Sequence, residues 1–247
     1  MTGSLLRRLA PALVLGLAAC ASGAPEDALP ERVTAPPPPP ADAPFAEAIT
    51  GFVQADAAAP PADCSVLFVG SSSIRFWTTV AEDFPELSVI NRGFGGSQTE
   101  HVIRYFNHIV APYRPAKIVF YEGENDINAG DSTDSVISEF ETFMDMKTAA
   151  LGATPVYFIS IKPSIARFEE LAAQAEANER LAAIAANRPD MTFINVVDAM
   201  LDEDGQPKDI FVADDLHMNA DGYAIWTEIV GEALETAEVT ESPFCAG

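Results

Sequence analysis

Basic residues are scarce in this chain. Fourteen lysines and arginines stand against 37 aspartates and glutamates in 247 residues, a formal net charge of −23. A surface of that sign repels phosphate backbones and anionic bilayers, which argues against nucleic acid or a charged membrane surface as a partner. Histidines and cysteines number three each, so any chemistry that needs an imidazole has three candidates. The longest opening apolar run, Leu9 to Ala19, is too short to span a bilayer. Several signatures are also missing. There is no His-Glu-x-x-His, the serine-rich turn lacks Gly-x-Ser-x-Gly, and the glycines of Asn91-Arg-Gly-Phe-Gly-Gly-Ser97 do not fit the dinucleotide fingerprint. The acidic run Asp198, Asp202, Glu203, Asp204 before Gly205 lacks EF-hand spacing and is expected to be a solvated loop, with no metal and no cofactor.

What is present begins with an export signal. Arg7 and Arg8 precede the apolar run, and Leu17-Ala18-Ala19-Cys20 resembles a bacterial lipobox, which implies cleavage before Cys20 and its acylation. Plain secretion after an Ala-x-Ala-like site is the alternative. The implied location is the cell envelope, at an outer membrane facing periplasm or surface, with membrane contact through the lipid anchor only. Removing residues 1–19 takes away two arginines and no acid, so the mature charge is −25. Residues 20–44, with five prolines at Pro36 to Pro40, cannot build a core and read as an extended spacer; residues 45–240 read as one domain. With Cys20 lipidated, Cys64 and Cys245 remain, one before the first strand and one at the C-terminus. An oxidising compartment allows them to pair, and two free thiols are the alternative.

With 48% apolar residues the domain can bury a core. Its periodicity alternates. Val66 to Val69, Leu87 to Ile90, Lys117 to Tyr121, Pro155 to Ile161 and Met191 to Val197 read as strands. Helical spacing appears at Phe45 to Val53, at Val102 to Val110, at Val136 to Met144 behind the capping candidates Asp131 and Ser132, from about Ile165 to Ala186, and at Tyr223 to Leu234. Asp198 to Asp215 reads as irregular. Strands alternating with helices predict a parallel sheet covered on both faces, and right-handed crossovers place every strand's carboxyl end on one edge. That edge gathers Ser71 to Ser73, Gly93 to Ser97, Gly123 to Asp126, Lys162 to Ser164 and the loop before the last helix.

These loops carry what acyl transfer needs: a hydroxyl nucleophile, amide donors for an oxyanion, and a base oriented by a carboxylate. His101 and His108 fall within a helix and read as packing or surface residues. His217, three residues after Asp214, is the candidate base, because a carboxylate at that spacing can hold one ring nitrogen and free the other. Any of Ser71, Ser72 or Ser73 can be the nucleophile on this reading.

As a set, Gly70-Ser71-Ser72, the glycine-rich loop, Gly123-Glu124-Asn125-Asp126 and Asp214 to His217 resemble the SGNH hydrolases, the GDSL-type esterases and lipases. The resemblance covers roughly Cys64 to Leu234. It implies a three-layer α/β/α sandwich with a five-stranded parallel sheet, flavodoxin-like. It also implies Ser72 as nucleophile with His217 and Asp214, and an oxyanion hole of the Ser72 N–H, Gly96 and Asn125. Ser71 departs from the aspartate usual in the family, which puts the rigidity of that loop in question. The implied activity is a serine esterase acting through an acyl-enzyme on a small-molecule, polysaccharide or lipid ester. A carbohydrate O-deacetylase, a lysophospholipase or thioesterase, and a non-catalytic envelope lipoprotein are the rivals.

Overall fold

Strands β1 (Val66–Gly70), β2 (Val89–Gly93), β3 (Lys117–Tyr121), β4 (Val156–Ile159) and β5 (Met191–Ile194) form one parallel sheet in the order β2-β1-β3-β4-β5. The computed structural model describes Met1 and residues 29–245; the rest of the expected export signal, and Cys20, lie outside them. The helices are α1 (Ala46–Ala58), α2 (Ser72–Arg75), α3 (Val80–Asp83), α4 (Thr99–Ile109), α5 (Glu124–Ala129), α6 (Thr133–Leu151), α7 (Leu171–Ala185), α8 (Val197–Met200) and α9 (Ala220–Thr236). Among the described residues no helix is long and apolar enough to cross a membrane.

Side chains alternate across the pleat, so one strand feeds two cores. Leu67, Val69, Ile118, Phe120, Val156 and Phe158 pack with α1, α4, α6 and α7. Val66, Phe68, Val119, Tyr121, Tyr157 and Ile159 pack with α8 and α9 on the other face. Burial on both faces explains why the central strands read as unbroken apolar runs. The result is the three-layer α/β/α sandwich that the alternation predicts.

Several boundaries differ from the sequence reading. β2 starts at Val89 and continues through Asn91, Arg92 and Gly93, which pair with Phe68, Val69 and Gly70. Polar residues are tolerated there because β2 is an edge strand and both side chains are satisfied: Asn91 Nδ2 donates to Ile74 O at 2.8 Å and Arg92 Nε to Tyr113 OH at 2.6 Å. β4 and β5 end earlier than expected. α1 runs five residues past Val53, and its Asp56 carboxylate is held by Arg92 and Tyr113. The helix expected from Ile165 starts at Leu171, after a 3-10 turn at Phe168–Glu170. The acidic segment contains α8 and a turn in which Asp202 Oδ1 accepts from the N–H groups of Asp204 and Gln206.

The described part of the proline-rich stretch, residues 29–44, lacks regular structure up to a turn at 41–44 and is not detached. Pro37 O meets His108 Nε2 at 3.1 Å, Pro44 O accepts from Tyr105, Arg32 pairs with Asp63, and Val33 packs on the core. Charged and ring donors of the domain satisfy carbonyls that a proline run leaves open. Cys64 and Cys245 stand as a disulfide with Cα atoms 5.6 Å apart, at the amino ends of the strands, opposite the edge with the serine loop.

Candidate active site

The loop after β1 is held by its backbone. Ser71 N–H donates to Tyr121 O at 3.2 Å, and Ser71 O accepts from Ile74 N at 3.1 Å and Arg75 N at 3.0 Å. The Ser71 side chain makes no capping bond, so these contacts supply the order that the missing aspartate put in question. Tyr223 OH donates to Ser73 O at 2.9 Å, which fastens the loop to α9. Ser71 and Ser73 are each 2% exposed, whereas Ser72 is half-buried and faces out of the turn.

His217 approaches from the segment before α9. Its Nε2 lies 2.9 Å from Ser72 Oγ, and its Nδ1 lies 2.6 Å from Asp214 Oδ2. Asp214 Oδ1 accepts from the backbone N–H groups of Leu216 at 3.0 Å and His217 at 2.9 Å. A carboxylate on Nδ1 assigns the proton to that nitrogen and leaves Nε2 to accept from the serine hydroxyl. Desolvation raises the Asp214 carboxyl, but the His217 ring and the two backbone donors outweigh it and bring it down to about 2. Phe76 stands edge-on to the imidazole at 4.9 Å.

The glycine loop and α5 follow β2 and β3, the two neighbours of β1, and are joined to each other at the same sheet edge. Gly96 is exposed with φ 80, a conformation natural to glycine, and among the described residues its N–H has no acceptor. Asn125 Nδ2 donates to Ser97 O at 2.8 Å, and Asn125 Oδ1 accepts from Arg167 at 2.9 Å. Beneath lie three buried acids. Asp126 accepts from the N–H groups of Thr99 and Gly123. Glu124 binds Lys162 at 3.0 Å and Tyr121 OH at 2.7 Å. Glu122 Oε1 accepts from Ser97 Oγ at 2.6 Å, and its Oε2 has no partner among the described residues; burial pushes this carboxyl well above the usual range.

His101 and His108 remain on α4, away from the pair. His101 packs edge-on against Phe45 at 4.7 Å and accepts from Gln98 N, and desolvation lowers its pKa. A cleft of about 660 Å³ is lined by Phe45, Phe52, Arg75, Phe94 and Gly95. It borders the glycine loop without including Ser72, His217 or Asn125. Among the described residues no group of three metal-ligating side chains gathers. Sequence reasoning missed Arg167, which lies in a loop with no motif around it, and registered Lys162 only as part of the strand-end edge.

A family model described as the GDSL-like lipase/acylhydrolase family matches residues 62–225, from before β1 into α9. Solved structures share the fold. A GDSL-like lipase from Bacteroides thetaiotaomicron superposes with TM-score 0.65 at 21% identity, over 76% of this chain and 97% of that one. A carbohydrate esterase family 3 protein from Talaromyces cellulolyticus gives 0.58 at 19%, over 69% and 96%. A mutant of Axe2, an acetyl-xylooligosaccharide esterase from Geobacillus Stearmophilus, gives 0.59 at 13%, over 73% and 98%. No curated protein matches. The family match spans every loop that builds the site, and the chain belongs to the GDSL-like lipase/acylhydrolase family, hydrolases of ester bonds.

Proposed function

We propose that the protein is a serine esterase in which Ser72 is the nucleophile, His217 the general base and acid, and Asp214 its orienting carboxylate. The observation that carries this reading is the 2.9 Å contact from Ser72 Oγ to His217 Nε2, with Asp214 on the opposite ring nitrogen. As Ser72 Oγ attacks the ester carbonyl, its proton passes to Nε2. The imidazolium is stabilised by Asp214, and the oxyanion is met by the N–H groups of Ser72 and Gly96 and by Asn125 Nδ2. Collapse of the tetrahedral intermediate returns the proton to the departing alcohol and leaves the acyl group on Ser72. Water, deprotonated by His217, then releases the acid and restores the hydroxyl.

Acetylated carbohydrate is the substrate class supported by two of the structural neighbours, one a carbohydrate esterase and one an acetyl-xylooligosaccharide esterase. The export signal and Cys20 support a lipid-anchored protein of the cell envelope; detergent partitioning of the wild type against Cys20→Ser tests the anchor.

The decisive measurement is turnover of an aryl acetate. Ser72→Ala should lower it by about three orders of magnitude or more, and Ser73→Ala, whose hydroxyl is buried, should retain most of it. Equal loss in both variants overturns the assignment, as does unchanged turnover in Ser72→Ala, and wild-type turnover no faster than the uncatalysed reaction favours a non-catalytic envelope protein. Release rates from acetylated xylan beside a chain-length series of simple esters decide the substrate class.

A further inference from the structure

Arg167 lies in the loop after β4, outside every block that the family pattern marks, yet its guanidinium reaches the Asn125 amide. Its NH2 donates to Asn125 Oδ1 at 2.9 Å, and its NH1 lies 3.6 Å from Glu124 Oε1. The side chain is only 12% exposed. On its other side the Asn125 amide donates through Nδ2 to Ser97 O at 2.8 Å.

The two contacts enforce one orientation. An amide turned over would set its oxygen against the Ser97 carbonyl and its NH2 against a permanently charged guanidinium, and both meetings are repulsive. The second Nδ2 hydrogen is thereby kept available for an acceptor in the site. Arg167 is itself held in place. Ala166 N–H donates to Asp215 O at 3.0 Å, and the neighbouring Lys162, wholly buried, donates to Glu124 Oε1 at 3.0 Å and Leu216 O at 2.9 Å. The loop that carries Arg167 is thus bonded both to the segment bearing Asp214 and His217 and to the acid next to Asn125.

We infer that Arg167 is a positioning residue for the oxyanion hole, acting through Asn125 by fixing its amide orientation. The inference rests on the esterase reading above. An oxyanion donor contributes only where charge develops, so a loosened Asn125 weakens the transition state more than substrate binding.

The test is a double-mutant cycle on an aryl ester with kcat and KM determined separately. Arg167→Met should lower kcat by about ten- to hundredfold with KM changed by less than about threefold, and Arg167→Lys, which keeps a charged donor, should recover much of the loss. In the Asn125→Ala background the same Arg167→Met change should cost less than about twofold, since the group it acts through is gone. A merely structural Arg167 gives equal losses in both backgrounds, or a loss confined to KM, and either result overturns the inference. If Arg167→Met does not fold, the smaller loss in Arg167→Lys must vanish in the same way in the Asn125→Ala background. Ser72→Ala separates the two failures: if it stays active, the triad reading falls and this one with it. If Ser72→Ala is inactive while the Arg167 and Asn125 losses add, the Arg167 inference alone falls.

Discussion

Gly93 comes so close to Arg75 that a Cβ on the glycine would stand 2.3 Å from the Arg75 backbone nitrogen and 2.7 Å from the Ile74 carbonyl carbon. Backbone cannot give way at that distance as a side-chain tip can. Arg75 closes the one-turn helix that starts with Ser72, so Gly93→Ala should shift the Ser72 hydroxyl relative to His217. Ester turnover should fall by at least about tenfold, together with the melting temperature. Gly51→Ala, at an open site within α1, should instead hold or raise the melting temperature. Wild-type activity in Gly93→Ala would show that the contact does not position the serine.

Asp214→Asn tests the tautomer argument. An amide NH2 opposite His217 Nδ1 favours a proton on Nε2, where it can no longer accept from Ser72. Turnover should fall by about three to four orders of magnitude while the protein stays folded. Because the Asp214 carboxyl sits at about 2, it remains ionised through mildly acidic conditions. A pH profile of the wild type should therefore show no inflection from this group above about pH 4; a variant within tenfold of wild type would leave Asp214 with no orienting role.

Glu122 is 1% exposed, one of its carboxyl oxygens has no partner among the described residues, and burial raises its pKa well above 4.5. For an acid raised on folding, the protonated folded form is unpenalised below the unfolded pKa. Stability is lost as pH rises from there toward the folded value, because only the unfolded chain releases the proton. Glu122→Gln removes that dependence. The melting temperature of the variant minus that of the wild type should grow between pH 4 and pH 7, and a difference that stays flat or shrinks would mean that Glu122 is ionised in the fold.

The Cys64 to Cys245 bond joins cysteines 181 positions apart in sequence. In the chain-entropy account it contributes up to about 5 kcal/mol, by restricting the unfolded chain. Reduction should lower the melting temperature without changing turnover below the transition, because the bond lies at the sheet edge opposite the site. Thiol labelling of the unfolded, unreduced protein should find no free cysteine at these positions; two labelled thiols would exclude the bond.

The site was legible to different depths. Asp214 and His217 could be paired from spacing alone, because a carboxylate three residues before a histidine in a turn reaches its ring and its backbone within one local structure. Ser72 could not be told from Ser71 and Ser73 by any local rule. The choice depends on which hydroxyl meets a histidine 145 residues away, and the backbones of Ser71 and Ser73 are held by Tyr121 and Tyr223 on other elements. Arg167 carried no signal, because the periodicity placed it within the helix expected from Ile165, which starts only at Leu171, and its partner Asn125 is 42 residues distant.

The order of the five strands and of α1, α4, α6, α7 and α9, the parallel sheet and the edge that gathers the loops were determined by the sequence itself, whereas the short helices α2, α3, α5 and α8 left no pattern in it. Period-two and period-3.6 burial, glycines and hydroxyls at strand ends, and right-handed crossovers are local or topological constraints that each segment carries within it. The ends of β2, the docking of residues 29–44 on α4 and the Arg167 to Asn125 contact were decided only by the tertiary structure. In each, polar groups distant in sequence satisfy one another once packing has brought them within hydrogen-bond reach, and no segment's own pattern records where its partner will lie.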